Sequence, residues 1–410
     1  MTTHTTRKSD RTNQLLLLTG LLFSIFCAQA QTPAEVTLRA EVHKPLVAAQ
    51  EALKNNQLDQ ALALTREALA VGQLTPSERA VVLRTQAVGA LRAKNWDLAI
   101  QSLEFLVGSQ QVSPADRLPM LESLMNAGQQ KKDHALVVKW ARQYIQDGGT
   151  KPVIRMVLIQ TLAVMGEHKQ VVQEMLEKIR LDTAAGIKTS EQELRLLAVS
   201  YRQLKDSVGY QATLRRLLWA YPSKAYWAEV IQRLAQQVDL NPRLELDLYR
   251  LLEQTDNLEE ASEYSDMAQQ ALKAGLPSEA LRVLAKGFER GVLGKGAEAA
   301  AHLKLQTEAQ KKAREDDQAF AQLESMAKDG VSWMGVGDVY ASRQNWTAAN
   351  AAYAKALALG GLRREPEFRL HYAISLIKAG QKEAAVQQLS AVQGDALAVE
   401  LASLWGLLNR

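Results

Sequence analysis

Small residues recur along this chain at a nearly constant interval, and larger apolar residues follow them at helical offsets. The clearest copy runs Trp333, Val336, Gly337, Tyr340 and then Ala349, Tyr353, Ala356. Spacings of three and four put each set on one face of a helix. Two such sets across a polar turn predict an antiparallel pair of helices. Gly337 and Ala349 lack bulk, so the two backbones can approach closely, while Trp333, Tyr340 and Tyr353 fill the space around them. Weaker copies centre on Ala61, Ala99, Leu136, Val171, Tyr210, Leu244, Ala280, Ala319 and Ala385. Their mean step is about 36 residues, the signature of a stack of repeated units.

The turns between paired helices share a chemistry. Gln344-Asn345-Trp346-Thr347 precedes Ala349, Lys94-Asn95-Trp96-Asp97 precedes Ala99, and Asn56-Gln57-Leu58-Asp59 precedes Ala61. Gly275 and Gly380 stand where the first helix of a pair should end, because a left-handed backbone is cheapest at glycine. No alternating, strand-like stretch of any length interrupts the pattern. The expected fold is therefore all-α: a right-handed α-solenoid of about ten helical hairpins. The apolar tail (Leu397, Leu401, Leu404, Trp405, Leu408) reads as a helix capping the last hairpin, or as a docking or dimerisation helix.

Five segments follow. Residues 1–30 form a leader, 31–150 the N-terminal repeats and 151–293 the central ones. Residues 294–330 read as an irregular hairpin or a helical insertion, and 331–410 as the C-terminal repeats with the cap. Between Arg117 and Gln143 the register slips, with Lys139 where an apolar residue is expected. Gly291 to Gly296 is the expected hinge by composition, and Asp147 to Pro152 is a second connector.

The leader carries Arg7, Lys8 and Arg11, then an apolar run from Leu15 to Ala28, then Ala28-Gln29-Ala30. This is the pattern of a cleavable export signal, too short for a comfortable span. The chain's single cysteine, Cys27, falls inside it, and bulky Phe26 before it argues against lipidation. The remainder carries no thiol for a disulfide, a nucleophile or a thiolate-held metal. A periplasmic location is expected, with no stable membrane span once the leader is removed.

Chemistry is sparse. The formal net charge of +4 falls to about +2 without the leader, and no basic stripe with interleaved aromatics points to nucleic acid. His43, His134, His168, His302 and His371 are scattered, with no pair at metal-ligating spacing. The Gly-Lys of the 291–296 stretch lacks the flanking residues of a phosphate loop, and no nucleophile-elbow serine is present. No enzyme activity, cofactor or metal is expected. What remains is the wall formed by the first helix of each hairpin. Its inward side chains should include Arg84, Arg92, Arg195, Arg202, Gln203, Gln232, Gln236, Gln269, Lys273, Asp338 and Lys378. Such a polar, mildly basic face suits a protein or peptide partner. The aromatics Trp219, Tyr221, Tyr226 and Trp227 read as packing between units rather than as a binding surface.

The period and the small-residue positions resemble tetratricopeptide repeats. The segments Leu217 to Trp227, Ala280 to Gly291 and Ala356 to Arg364 further resemble periplasmic tetratricopeptide proteins that accompany the TonB–ExbB–ExbD energy-transduction system. That resemblance covers the C-terminal half; the N-terminal half matches only the general repeat. It implies a scaffold or adaptor holding protein partners in a cell-envelope machine, TonB-system components among them. An assembly or stability factor for exported polysaccharide or outer-membrane proteins is the alternative.

Overall fold

A computed structural model describes residues 38–109, 111–236 and 242–409. The leader and Cys27 lie outside the described residues. Helix makes up 79% of the structure, in 20 α-helices, and no strand occurs among the described residues. The chain divides into two compact units, the first ending at Lys178 and the second starting at Ile179.

The first unit stacks helical hairpins: α1 (Ala40–Lys54) with α2 (Leu58–Ala70), α3 (Pro76–Arg92) with α4 (Trp96–Gly108), and α5 (Pro114–Lys131) with α6 (His134–Gln146). It continues into α7 (Pro152–Val164) and α8 (His168–Ala184), which crosses into the second unit. One turn closes hairpin after hairpin. The first helix ends on a left-handed residue (Asn56, Lys94 and Lys132 here, Lys205 and Gln344 later). The next N–H reaches back five residues, as from Asn95 to the Ala90 carbonyl at 2.8 Å. At four of these turns an Asn or Asp (Asn95, Asp133, Asp206, Asn345) then caps the second helix, as Asn95 does by accepting from the Leu98 N–H. Gly275 and Gly380 serve the same turn at φ 74, where the missing Cβ removes the strain.

The second unit runs through α9 (Glu191–Gln203), α10 (Ser207–Ala220), α11 (Lys224–Ala235), α12 (Glu245–Gln254), α13 (Ala261–Lys273) and α14 (Pro277–Glu289). It continues with α15 (Ala299–Met326), α16 (Gly330–Ser342), α17 (Trp346–Leu359), α18 (Glu365–Lys378), α19 (Lys382–Ser390) and α20 (Ala396–Leu408). The hairpin α16–α17 packs by the residues that define the repeat. Val336, Ala349, Ala356 and Tyr353 are buried, and Ala385 of α19 is buried likewise. A Cβ on Gly337 would stand 2.6 Å from the Tyr353 ring. Trp333 and Tyr340 are half-buried on the flank, Trp333 under the Lys355 ammonium and Tyr340 edge-on to Phe320.

Three expectations need correction. Residues 294–330 form no hairpin: α15 is one continuous helix of 28 residues. No glycine or proline falls between Gly296 and Gly330, and Ala, Lys, Gln and Glu dominate, so nothing breaks the helix. It packs inward by His302, Ala309, Ala313 and Phe320. The 291–296 turn is pinned rather than loose, since Leu293 is buried against Gly287 and the Gly294 N–H donates to His302 Nδ1. Lys139 sits on the outer face of α6, paired with Glu104, and Trp140 and Ala141 take the buried places beside it.

The cap does more than cover the last hairpin. α20 lies on α18 and α19 and also joins a core with much earlier helices. Leu397, Leu401, Leu404 and Trp405 of α20 cluster with Leu218 of α10, Trp227 and Ile231 of α11, and Leu248 and Leu251 of α12. Arg215 of α10 pairs with Glu400 of α20 at the rim. The second unit thus closes on itself, and its inner side is bounded by its own C-terminal helix.

Candidate binding cavity

Closure leaves a half-open cavity of about 330 Å³. Its walls come from α12, α14, α16, α17, α18 and α20, elements scattered over more than a hundred residues of sequence. Two chains of ionic contacts line it.

The first centres on His371 of α18. Its Nδ1 lies 2.8 Å from Asp338 Oδ1 on α16, and its Nε2 lies 3.2 Å from Asp247 Oδ2 on α12. Tyr353 of α17 donates its hydroxyl to the same Asp338 oxygen at 2.7 Å. Burial works against charge on the imidazole, but the two carboxylates outweigh it and hold the His371 pKa well above its usual value. Burial likewise opposes the charge on Asp247, yet His371 and Arg250 bring its carboxyl down to about 2. Burial and the neighbouring Asp338 push the Tyr353 hydroxyl far up. With a carboxylate at each ring nitrogen, His371 cross-braces α18 to α16 and α12.

The second chain starts from Arg250. Its guanidinium donates to Asp247 Oδ1 at 2.9 Å and grips Glu279 of α14 through Nε at 2.9 Å and a terminal nitrogen at 2.6 Å. Bidentate contacts of this kind fix orientation as well as supplying energy. Arg282, one turn on from Glu279, donates through both terminal nitrogens to Glu253 of α12, and the Lys286 ammonium stands 3.4 Å from the same carboxylate. Lys378 of α18 donates to the Gln254 amide at the cavity mouth. Trp346, Ile374 and Trp405 supply apolar wall.

The sequence reading singled out two of these residues, Asp338 and Lys378, as inward-facing, and the structure brings both to the cavity. The other candidates lie elsewhere. Arg84 pairs with Asp116 on the next hairpin, and Arg92 donates to the Leu53 carbonyl and to Asn56 on the previous one. Both tie neighbouring repeats together. Arg195 and Arg202 on α9, Gln232 on α11, Gln236 just beyond it, and Gln269 and Lys273 on α13 are exposed. The aromatic segment splits, with Trp227 buried and Trp219 58% exposed.

Sequence reasoning missed His371, Asp247, Arg250 and Glu279. A signal was present. Ion pairs recur at about one repeat length, as in Arg39–Glu78, Lys131–Asp97, Arg290–Asp256 and His371–Asp338. Opposite charges at that spacing occupy equivalent places on adjacent hairpins. Among the described residues no group of His, Asp or Glu could hold a metal ion, and no helix is long and apolar enough to cross a membrane.

No family model matches the chain, and no curated protein does. Solved structures do. A tetratricopeptide repeat protein from Parabacteroides merdae is 8% identical, with 82% of this chain and 99% of that one covered at a TM-score of 0.30. Yeast Tom70 is 10% identical, with 90% and 95% covered at 0.26. The Naa15/Naa10 complex bound to HypK-THB is 13% identical, with 88% and 60% covered at 0.34. The α-solenoid character of the chain is seen in its own helical hairpins, packed each on the next within a unit.

Proposed function

We propose that the protein is an exported scaffold that holds protein or peptide partners in a cell-envelope machine, with TonB-dependent transport as its setting. One observation carries the partner-binding part. On α9, α11 and α13, the first helices of successive hairpins, Arg195, Arg202, Gln232, Gln269 and Lys273 stay exposed while the apolar faces of the same helices are buried. Cationic and amide groups presented from a stack of rigid helices suit a polar, acid-bearing chain. The periplasmic setting is supported by the leader pattern of residues 1–30 and the absence of cysteine after Cys27. The TonB setting is supported by the segment resemblance in the C-terminal half.

Site-specific crosslinking in the native envelope tests this. A photoreactive residue at Arg195, Gln232 or Gln269 should capture TonB, ExbB or ExbD from intact cells. Capture of polysaccharide-export or outer-membrane assembly proteins instead would move the protein to that machinery. Capture of cytoplasmic proteins alone would overturn the export reading.

A further inference from the structure

We propose that the cavity inside the second unit is a binding site for a small organic anion with a flat apolar body, separate from the exposed helix faces that hold protein partners. The half-open space of about 330 Å³ falls in the range of small-ligand sites, which run from about 300 to 1,000 Å³. It is walled on one side by Ile374 and Trp405, which pack back onto α11 and α12. The wall makes it a chamber with a mouth, unlike the open face along which a peptide would lie.

The sign of the ligand follows from the ionic contacts. Asp247, Glu253, Glu279 and Asp338 supply four negative charges. Arg250, Arg282 and His371 sit directly on those carboxylates. Lys286 and Lys378 complete the set, five cationic groups against four carboxylates; Glu367, which also faces His371, is offset by its own partner Arg364. The Arg250 cation sits between Asp247 and Glu279, to which three of its five N–H groups donate. The surplus therefore belongs to the two ammoniums. Lys286 reaches only an already shared carboxylate at 3.4 Å, and Lys378 donates to a neutral amide. Each ammonium has three donors, so both retain capacity for an anion. Lys286 is two-thirds covered, and a charge partly shielded from water attracts its counter-charge more strongly than one on an open surface; Lys378 stands exposed at the mouth. Trp346, Ile374 and Trp405 next to these ammoniums are suited to an aromatic or aliphatic body, which an inorganic ion lacks.

Isothermal titration of the full chain with benzoate, benzyl alcohol, benzamidine and inorganic phosphate tests the proposal, with indole fluorescence followed in parallel. Benzoate should bind at one site, about tenfold or more tightly than benzyl alcohol, weaken with salt and perturb the indole emission; benzamidine should not bind. Lys286→Gln with Lys378→Gln should abolish the preference for benzoate while the melting midpoint stays put, and Arg202→Gln should leave it unchanged. Equal binding of benzyl alcohol, binding of phosphate alone, binding of none of the four, or retention of benzoate by the double variant would each overturn it. So would an acidic peptide that needs the same two lysines, since it would make the chamber a peptide site. None of these results bears on the crosslinking, whose sites are on α9, α11 and α13.

Discussion

His371 and Asp247 stand 124 positions apart in sequence and 3.2 Å apart in space. Asp247 is buried and His371 nearly so, so the contact fastens α18 to α12 where water screens little. The imidazole is faced by Asp247 and Arg250 from α12, by Asp338 from α16 and by Glu367 from its own helix. Removing one partner of a buried pair leaves the other charge uncompensated. His371→Gln should cost about 3 kcal/mol near pH 6, read from urea unfolding.

The same contact sets a pH window. The His371 pKa is raised well above its usual value, so its contribution is complete below about pH 6.5 and is lost as pH rises through the folded value. The Asp247 pKa is depressed to about 2, so its contribution is complete above about pH 4 and is lost as pH falls toward that value. The difference in urea midpoint between the parent chain and His371→Gln should be flat from about pH 4 to 6.5 and shrink at alkaline pH. A difference that does not change between pH 6 and pH 10 would show that the proton on His371 is irrelevant to closure.

Three glycines of α16 separate close packing from helix propensity. A Cβ on Gly330 would meet the Gly360 carbonyl oxygen at 2.1 Å, and one on Gly337 would meet the Tyr353 ring at 2.6 Å. One on Gly335 would meet nothing within 4 Å. Gly335→Ala should therefore stabilise by about 0.5–1 kcal/mol. Gly337→Ala should destabilise by about 1–3 kcal/mol, and Gly330→Ala by at least as much, because the obstacle is backbone. Thermal melts of the three variants check the order; a stabilising Gly337→Ala would break the packing argument.

Much of this was legible in the residues. Gly337 marked a place where the helices leave no room for a side chain, and Gly275 and Gly380 marked the left-handed helix ends, because each demand is local and falls on one residue type. The closure of the second unit was not. Leu401 and Trp405 have the same spacing whether they cap the neighbouring hairpin or reach α12, and periodicity says nothing about which partner an apolar face will meet. The candidate wall failed at Arg84 and Arg92 for a related reason: a charge facing inward can be consumed by the adjacent repeat. The expected hairpin over 294–330 failed because a period was imposed on a run with no breaker.

Arg195 and Arg202 both project from α9 into solvent. Arg195→Glu with Arg202→Glu should weaken capture of an envelope partner several-fold while leaving the melt within about 0.5 kcal/mol of the parent, as surface changes usually do. Quantitative crosslinking beside a melting curve checks both halves. Loss of fold would mean that these side chains are structural.

The role of α20 can be read from where a single cavity is felt. Leu401 is fully buried in a cluster that spans α10, α11, α12, α18 and α20. Leu401→Ala should cost about 2–5 kcal/mol, whereas Leu303→Ala on the exposed side of α15 should stay within about 0.5 kcal/mol. Stability lost is local until a whole cooperative unit opens, so amide hydrogen exchange locates the damage. If α20 closes the unit, exchange in Leu401→Ala should quicken in α11 and α12, some 150 residues upstream, as well as in α18. Quickening confined to α18 and α19 would reduce α20 to a cover for the last hairpin and leave the chamber without its wall.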